Sequence, residues 1–63
     1  MEINKDAILI KMAEKEYSRQ ALATASGLKY WVVAEGLSRG RMTTENIGKI
    51  AHALDCKVEE IVT

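Results

Sequence analysis

The chain has 63 residues with nine basic and nine acidic side chains, so its formal net charge at pH 7 is zero. A chain this short forms one domain, and its core buries only about 60% of the surface that the unfolded chain exposes. One cysteine excludes an internal disulfide, and one cysteine with one histidine cannot build a structural zinc site. Because these residues also supply no nucleophile–base pair, we expect no enzyme, no cofactor, no metal and no small-molecule ligand.

The apolar residues are not arranged for a membrane. No stretch approaches 18 consecutive apolar residues, so no membrane-spanning segment is predicted. The first residues, MEINKDAILIK, are too charged for a secretory signal. With no disulfide to form, a reducing compartment is expected, which favours a cytoplasmic protein.

Basic charge is concentrated in the middle of the chain. Residues 18–49 hold five basic and two acidic side chains, a net charge of +3, whereas residues 1–17 carry −1 and residues 50–63 carry −2. A local basic surface can neutralise phosphates even when the total charge is zero. Taken alone, this bias is as typical of an ordinary mixed surface as of a nucleic-acid interface.

The first predicted helix covers residues 4–15, with Asn4 as its N-cap. Ile10 lies off the predicted apolar face and is expected to be exposed. Tyr17 follows in the connection, where we expect a core aromatic ring with its hydroxyl in water. The residues predicted to share the buried face are Ile8, Leu9, Met12 and Ala13.

Two short helices are predicted next, over residues 18–26 and 29–37, with a tight turn at Gly27. Ser18 is the expected N-cap of the first helix. Gly27 ends this helix, because glycine adopts the left-handed conformation without a Cβ clash. Two helices this short and this closely joined are typical of a helix-turn-helix unit. The apolar stripe of the second helix consists of Leu28, Val32, Val33 and Leu37.

A loop with the sequence SRGRM, residues 38–42, precedes the predicted helix 43–54. Thr43 is its expected N-cap. Its apolar residues follow the i, i+3, i+4, i+7 pattern of one helical face, which is the clearest helical signal in the chain. They are Ile47, Ile50, Ala51 and Leu54.

A short last helix is predicted over residues 57–62. Its apolar residues Val58, Ile61 and Val62 are expected to face the core or a partner. Cys56 is interpreted as a small buried hydrophobic residue rather than a reactive thiol.

The pattern Arg19-Gln20-x-Leu22-Ala23-x-x-x-Gly27-Leu28-x-x-x-x-Val33 resembles the helix-turn-helix of the Cro/CI-type (Xre-like) phage repressors. The run TTENIGKIAHALDCKVEEI, residues 43–61, is similar to the last two helices of that family. The resemblance covers about residues 8–62. It implies an all-α fold, a compact five-helix, lambda-repressor-like DNA-binding domain. This single domain would span residues 1–63, with the helix-turn-helix at about 18–37.

The chain departs from the family pattern in several places. Ser26 stands where an apolar residue is usual, and Lys29 and Lys57 stand where serine or threonine normally caps a helix. Gly36 occupies a usual core position of the recognition helix, and we expect Leu37 to fill that space.

The resemblance implies a sequence-specific DNA-binding transcriptional regulator, Cro-like and of phage or mobile-element type, most simply a repressor. Its recognition helix, about residues 29–37, would enter the major groove of an operator. The DNA-binding residues expected on this basis are Arg19, Gln20, Lys29, Tyr30, Trp31, Glu35, Ser38, Arg39 and Arg41.

Among these residues, Arg19 at the start of its helix is expected to contact a phosphate, and so are Arg39 and Arg41. Lys29 could donate to guanine or to a phosphate, and Glu35 could accept a hydrogen bond from N4 of cytosine. Trp31 has three open interpretations, as a core residue, a DNA contact or a contact to a protein partner.

The expected partner is a double-stranded DNA operator. A homodimer on a near-palindromic site would supply the interface that one small module lacks. The alternative is that the same fold serves as a protein-interaction module, antitoxin-like or anti-repressor. Zero net charge, Glu35 on the reading face and the adjacent Tyr30 and Trp31 favour that alternative.

Overall fold

A computed structural model describes all 63 residues of the chain. It contains four α-helices followed by a single 3₁₀ turn, in an all-helical arrangement as predicted. None of the helices has the length and apolarity that crossing a bilayer requires. The elements are α1 (Lys5–Lys15), α2 (Arg19–Ser26), α3 (Tyr30–Arg39), α4 (Thr44–Ala53) and the 3₁₀ turn Val58–Glu60.

The predicted fifth helix over residues 57–62 is wrong, because only Val58–Glu60 form a helical turn. The backbone N–H of Lys57 donates to Glu60 Oε2 at 2.9 Å, which closes this turn on itself. Beyond it, Val62 forms an antiparallel bridge with Ile3 instead of continuing the helix. Pairing with the N-terminal segment therefore replaces helical hydrogen bonds at this end of the chain.

Three predicted N-caps are confirmed. Asn4 Oδ1 and Ser18 Oγ each accept a hydrogen bond at 3.1 Å from the backbone N–H three residues later, and Thr43 Oγ1 does so at 3.2 Å. Lys29, where the family pattern has a capping residue, makes no side-chain capping bond to α3. Gly27 ends α2 with φ of 75°, in the left-handed conformation that the sequence predicts.

The core is contributed by every helix and by the chain on either side of them. All four apolar residues predicted for α4 are buried, whereas α1 buries only Ile8 and Met12. The prediction that Leu9 and Ala13 share this buried face is wrong, since both are exposed. Ile8 and Met12 are four residues apart, so they lie one above the other on the same side of α1. A narrow contact buries this pair and leaves Leu9 and Ala13 beside it in solvent. The buried apolar residues are Ile3, Ile8, Met12, Leu22, Ala23, Val33, Leu37, Met42, Ile47, Ile50, Ala51, Ala53, Leu54 and Ile61.

The second helix of the helix-turn-helix is longer than predicted. It continues to Arg39 rather than ending at residue 37, and Gly40 ends it with φ of 76°. Gly36 is buried, and a Cβ placed on it would lie 2.7 Å from Met42 Cγ. Met42 therefore fills the space over Gly36, and the expectation that Leu37 does so is wrong.

The N-terminal segment before α1 lies between two other parts of the chain. The backbone N–H of Ile3 donates to the carbonyl of Gly40 at 3.0 Å, and that of Asn4 donates to the carbonyl of Ile61 at 2.8 Å. The first bond, with the buried side chain of Ile3, holds the connection between α3 and α4 in place, and the second joins the N-terminal segment to the C-terminal end of the chain. That connection carries Arg41, one of the predicted DNA contacts.

Candidate nucleic-acid interface

The candidate interface is built on α3, which α2 holds against the domain. The two helices pack directly on one another across the Gly27 turn. Val33, Gly36 and Leu37 of α3 point into the core. Since a helix turns by about 100° per residue, the opposite side of α3 must face outward. That side presents Trp31, Glu35 and Ser38, all of which are exposed.

The aromatic pair at the start of α3 lies at the surface. Trp31 is 61% exposed and Tyr30 is 46% exposed. The interpretation of Trp31 as a core residue is therefore wrong, whereas contacts to DNA or to a protein partner stay open. An exposed tryptophan buries a large area when a partner covers it, so this position is suited to recognition.

Glu35 and Arg39 form an ion pair along the outer side of α3. The distance from Arg39 Nη2 to Glu35 Oε1 is 3.8 Å, and the two side chains are 71% and 50% exposed. Exposed pairs of this kind are weak, typically about 0–1 kcal/mol. Both side chains can therefore exchange this contact for another partner at small cost.

A groove of about 350 Å³ lies between the end of α3 and the beginning of α4. Arg39 and Arg41 both line it, so the structure brings together the two arginines that the sequence places around the loop. Asn46 also lines the groove and is not among the DNA contacts predicted from the sequence. The local signal for Asn46 is its position three residues after the Thr43 cap, in the first turn of α4. The groove residues are Val32, Glu35, Gly36, Arg39, Arg41, Met42, Thr43 and Asn46.

The other predicted contacts are exposed but lie outside this groove. Arg19 and Gln20 occupy the first turn of α2, and Lys29 precedes α3. Arg19, Lys29 and Arg41 form no ion pair within the chain, so each is free to meet a phosphate.

Other lysines are engaged elsewhere. Lys11 Nζ pairs with Glu60 Oε1 at 3.2 Å, and Lys15 pairs with Asp55, so both join α1 to the C-terminal part of the chain. The hydrogen bond from Lys15 lowers the pKa of Asp55 and raises that of Lys15. These lysines lie outside the candidate interface and pair with acidic residues of the C-terminal part of the chain instead.

No group of three or more histidine, cysteine, aspartate or glutamate side chains comes together to hold a metal. Cys56 is half-buried against the core, and burial is the main cause that raises its thiol pKa. The thiol is therefore protonated at neutral pH, as expected for a structural cysteine.

A tight two-helix unit with an exposed second helix defines the class of helix-turn-helix DNA-binding domains. Residues 7–63 match the model of a family described as the Cro/C1-type HTH DNA-binding domain, so the chain belongs to that family. The resemblance drawn from the sequence is thereby confirmed. The protein is therefore a helix-turn-helix DNA-binding domain of the kind that acts in transcription regulation. No curated protein and no solved structure matches the chain.

Proposed function

We propose that the protein is a sequence-specific, Cro-like repressor of phage or mobile-element type that inserts α3 into the major groove of an operator. The observation that carries this proposal is the outward side of α3, where Trp31, Glu35 and Ser38 are exposed beside Arg39 and Arg41. In this docking geometry, side chains at the beginning of the recognition helix meet base edges. Occupying the operator would exclude a polymerase or a competing regulator by steric occlusion.

The phosphate contacts would come from the two ends of the helix-turn-helix, the beginning of α2 and the end of α3. Arg19 lies at the start of α2, whose unpaired N–H groups and helix dipole favour a phosphate. Arg39 and Arg41 would hold the sugar-phosphate backbone beside the end of α3. Tyr30, Trp31 and Lys29 would then reach the bases or the groove wall.

One module of this kind supplies about 600–1,000 Å² of interface, which is small for tight specific binding. We propose a homodimer on two half-sites about one helical turn apart. The exposed Val58 and the half-buried Val62 at the C-terminal end are the proposed dimer surface. For a phage-type regulator, the compartment that holds the DNA is the cytoplasm.

The test is a mobility-shift titration of a mixed-sequence duplex at several salt concentrations. Each phosphate contact contributes about 0.9 to the slope of log affinity against log salt. The double variant Arg39→Ala/Arg41→Ala should therefore bind more weakly and flatten the slope by about 0.9 for each arginine that contacts a phosphate. Lys5→Ala/Lys57→Ala removes the same charge outside the interface and should retain most of the wild-type slope.

If the arginine variant binds with the wild-type slope, the proposed backbone contacts are wrong. If the wild type binds no duplex even at low salt, the operator-binding role itself is wrong. The second candidate, a protein-interaction module, is favoured by the exposed pair Tyr30 and Trp31. Binding to a protein through these apolar rings would depend little on salt, which separates the two functions.

A further inference from the structure

We propose that Glu35 determines operator specificity by exchanging partners: it pairs with Arg39 in the free protein and accepts a hydrogen bond from a cytosine amino group on the specific site. This inference rests on the proposed function and names the base chemistry that the reading face recognises. The Glu35–Arg39 ion pair itself would then select between DNA sequences.

Glu35 is positioned for this role by the register of α3. It lies one turn after Trp31 and one turn before Arg39, and it is the only acidic residue of the helix. Half of its side chain is exposed, and its carboxylate makes no hydrogen bond within the chain. A carboxylate offers about four acceptor positions, so this one retains most of its capacity for an incoming donor.

The chemistry of the major groove restricts what that donor can be. The amino groups of cytosine and adenine are the donors displayed there. Next to its amino group adenine presents the N7 acceptor, which repels a carboxylate, whereas cytosine presents only a C–H. Glu35 is therefore matched to the N4 amino group of cytosine, the pairing that a carboxylate makes best.

The Glu35–Arg39 ion pair also explains why DNA that lacks this cytosine would be bound more weakly. On DNA without a cytosine at this position, two arrangements are open to Glu35. It can stay paired with Arg39 and keep that side chain away from the phosphates, or it can lose Arg39 and lie near the phosphates with no hydrogen-bond donor. The first arrangement loses a phosphate contact, and the second leaves a negative charge that the DNA backbone repels, so both weaken binding. On the specific site the cytosine takes the place of Arg39, and Arg39 is released to contact a phosphate.

The experiment compares the full-length wild type with Glu35→Gln in two assays. Glu45→Gln is the matched control, because Glu45 pairs with Lys49 on α4 at the same i,i+4 spacing and at 3.5 Å. The first assay selects bound sequences from a randomised duplex pool. The second measures affinity for a mixed-sequence duplex as a function of salt. Circular dichroism melts of the three proteins show whether they are equally folded.

We expect the wild type and Glu45→Gln to enrich sequences with one fixed cytosine in each half-site. Glu35→Gln should lose this cytosine, or replace it with adenine, while the rest of the enriched sequence is kept. It should also bind mixed-sequence DNA about fivefold more tightly. Its salt slope should be steeper by about 0.9, because Arg39 gains a phosphate.

Two results would overturn the inference and leave the proposed function intact. One is a Glu35→Gln variant that enriches the same sequence, cytosine included. The other is uniformly weaker binding to every sequence, which would mean that Glu35 only positions Arg39. If the wild type enriches no sequence at all, the proposed function fails together with the inference.

Discussion

Replacing Gly36 with alanine should destabilise the domain, although the same change inside a helix is normally favourable. Alanine in place of glycine stabilises a helix interior by about 0.5–1 kcal/mol. At Gly36, however, the new methyl group would lie 2.7 Å from Met42 Cγ and closer still to the end of that side chain. Met42 is itself buried, so it can leave only by disturbing the packing around it.

Overpacking of this kind typically costs about 1–3 kcal/mol, so the net effect of Gly36→Ala is a loss of about 1 kcal/mol. For a domain of this size that loss lowers the melting temperature by about 4–8 °C. Gly48→Ala is the matched control, because Gly48 lies inside α4 and a Cβ there meets no other atom within 4 Å. It should stabilise the domain by about 0.5–1 kcal/mol.

The assay is thermal and urea unfolding followed by circular dichroism on the wild type and both variants. The two substitutions add the same methyl group to a helical glycine, so they differ only in what that group meets. If Gly36→Ala raises the melting temperature as Gly48→Ala does, Met42 does not pack against Gly36 and the described connection between α3 and α4 is wrong.

Two further predictions concern ionisable groups. The pKa values of Asp55 and Glu60 lie below their ordinary values of 3.8 and 4.5, so both carboxylates stabilise the fold above about pH 4.5 and lose this effect as the pH falls through the lowered values. Melts from about pH 6 to pH 3 should show a smaller acid-dependent loss in Asp55→Asn, which tolerates the same left-handed backbone; an unchanged loss would contradict the ion-pair role. Because burial raises the pKa of Cys56, its reaction with a thiol reagent should be much slower in the folded protein than in urea. Equal rates would show that this thiol is not protected by the fold.

The local features of this fold were predictable because they depend on residues close in the chain. A side-chain oxygen three residues before an unpaired backbone N–H is enough to identify the N-caps Asn4, Ser18 and Thr43. The apolar spacing of α4 is equally local, and Ile47 and Ile50 are buried as it predicts. Such signals fix where a helix begins and which side of it faces inward.

The wrong predictions depend on contacts between distant parts of the chain. The helix predicted over residues 57–62 ends at Glu60, because the backbone beyond it pairs with the N-terminal segment through the bridge between Val62 and Ile3. Likewise, nothing local indicates that Met42 covers Gly36. Because α3 buries Val33, Gly36 and Leu37 while Val32 is only half-buried, its inward side is turned away from Trp31, which periodicity alone left between the inner and outer faces.

The central proposal is that the outward side of α3 binds duplex DNA, and the fluorescence of Trp31 tests it most directly. Trp31 is the only tryptophan of the chain and is largely exposed, so its emission reports on this surface alone. The protein is titrated with mixed-sequence duplex at about 50 mM and then about 200 mM salt. The proposal predicts quenching or a spectral shift at the lower salt that fades at the higher one. No change at either salt, with no complex in a mobility-shift assay, would contradict it.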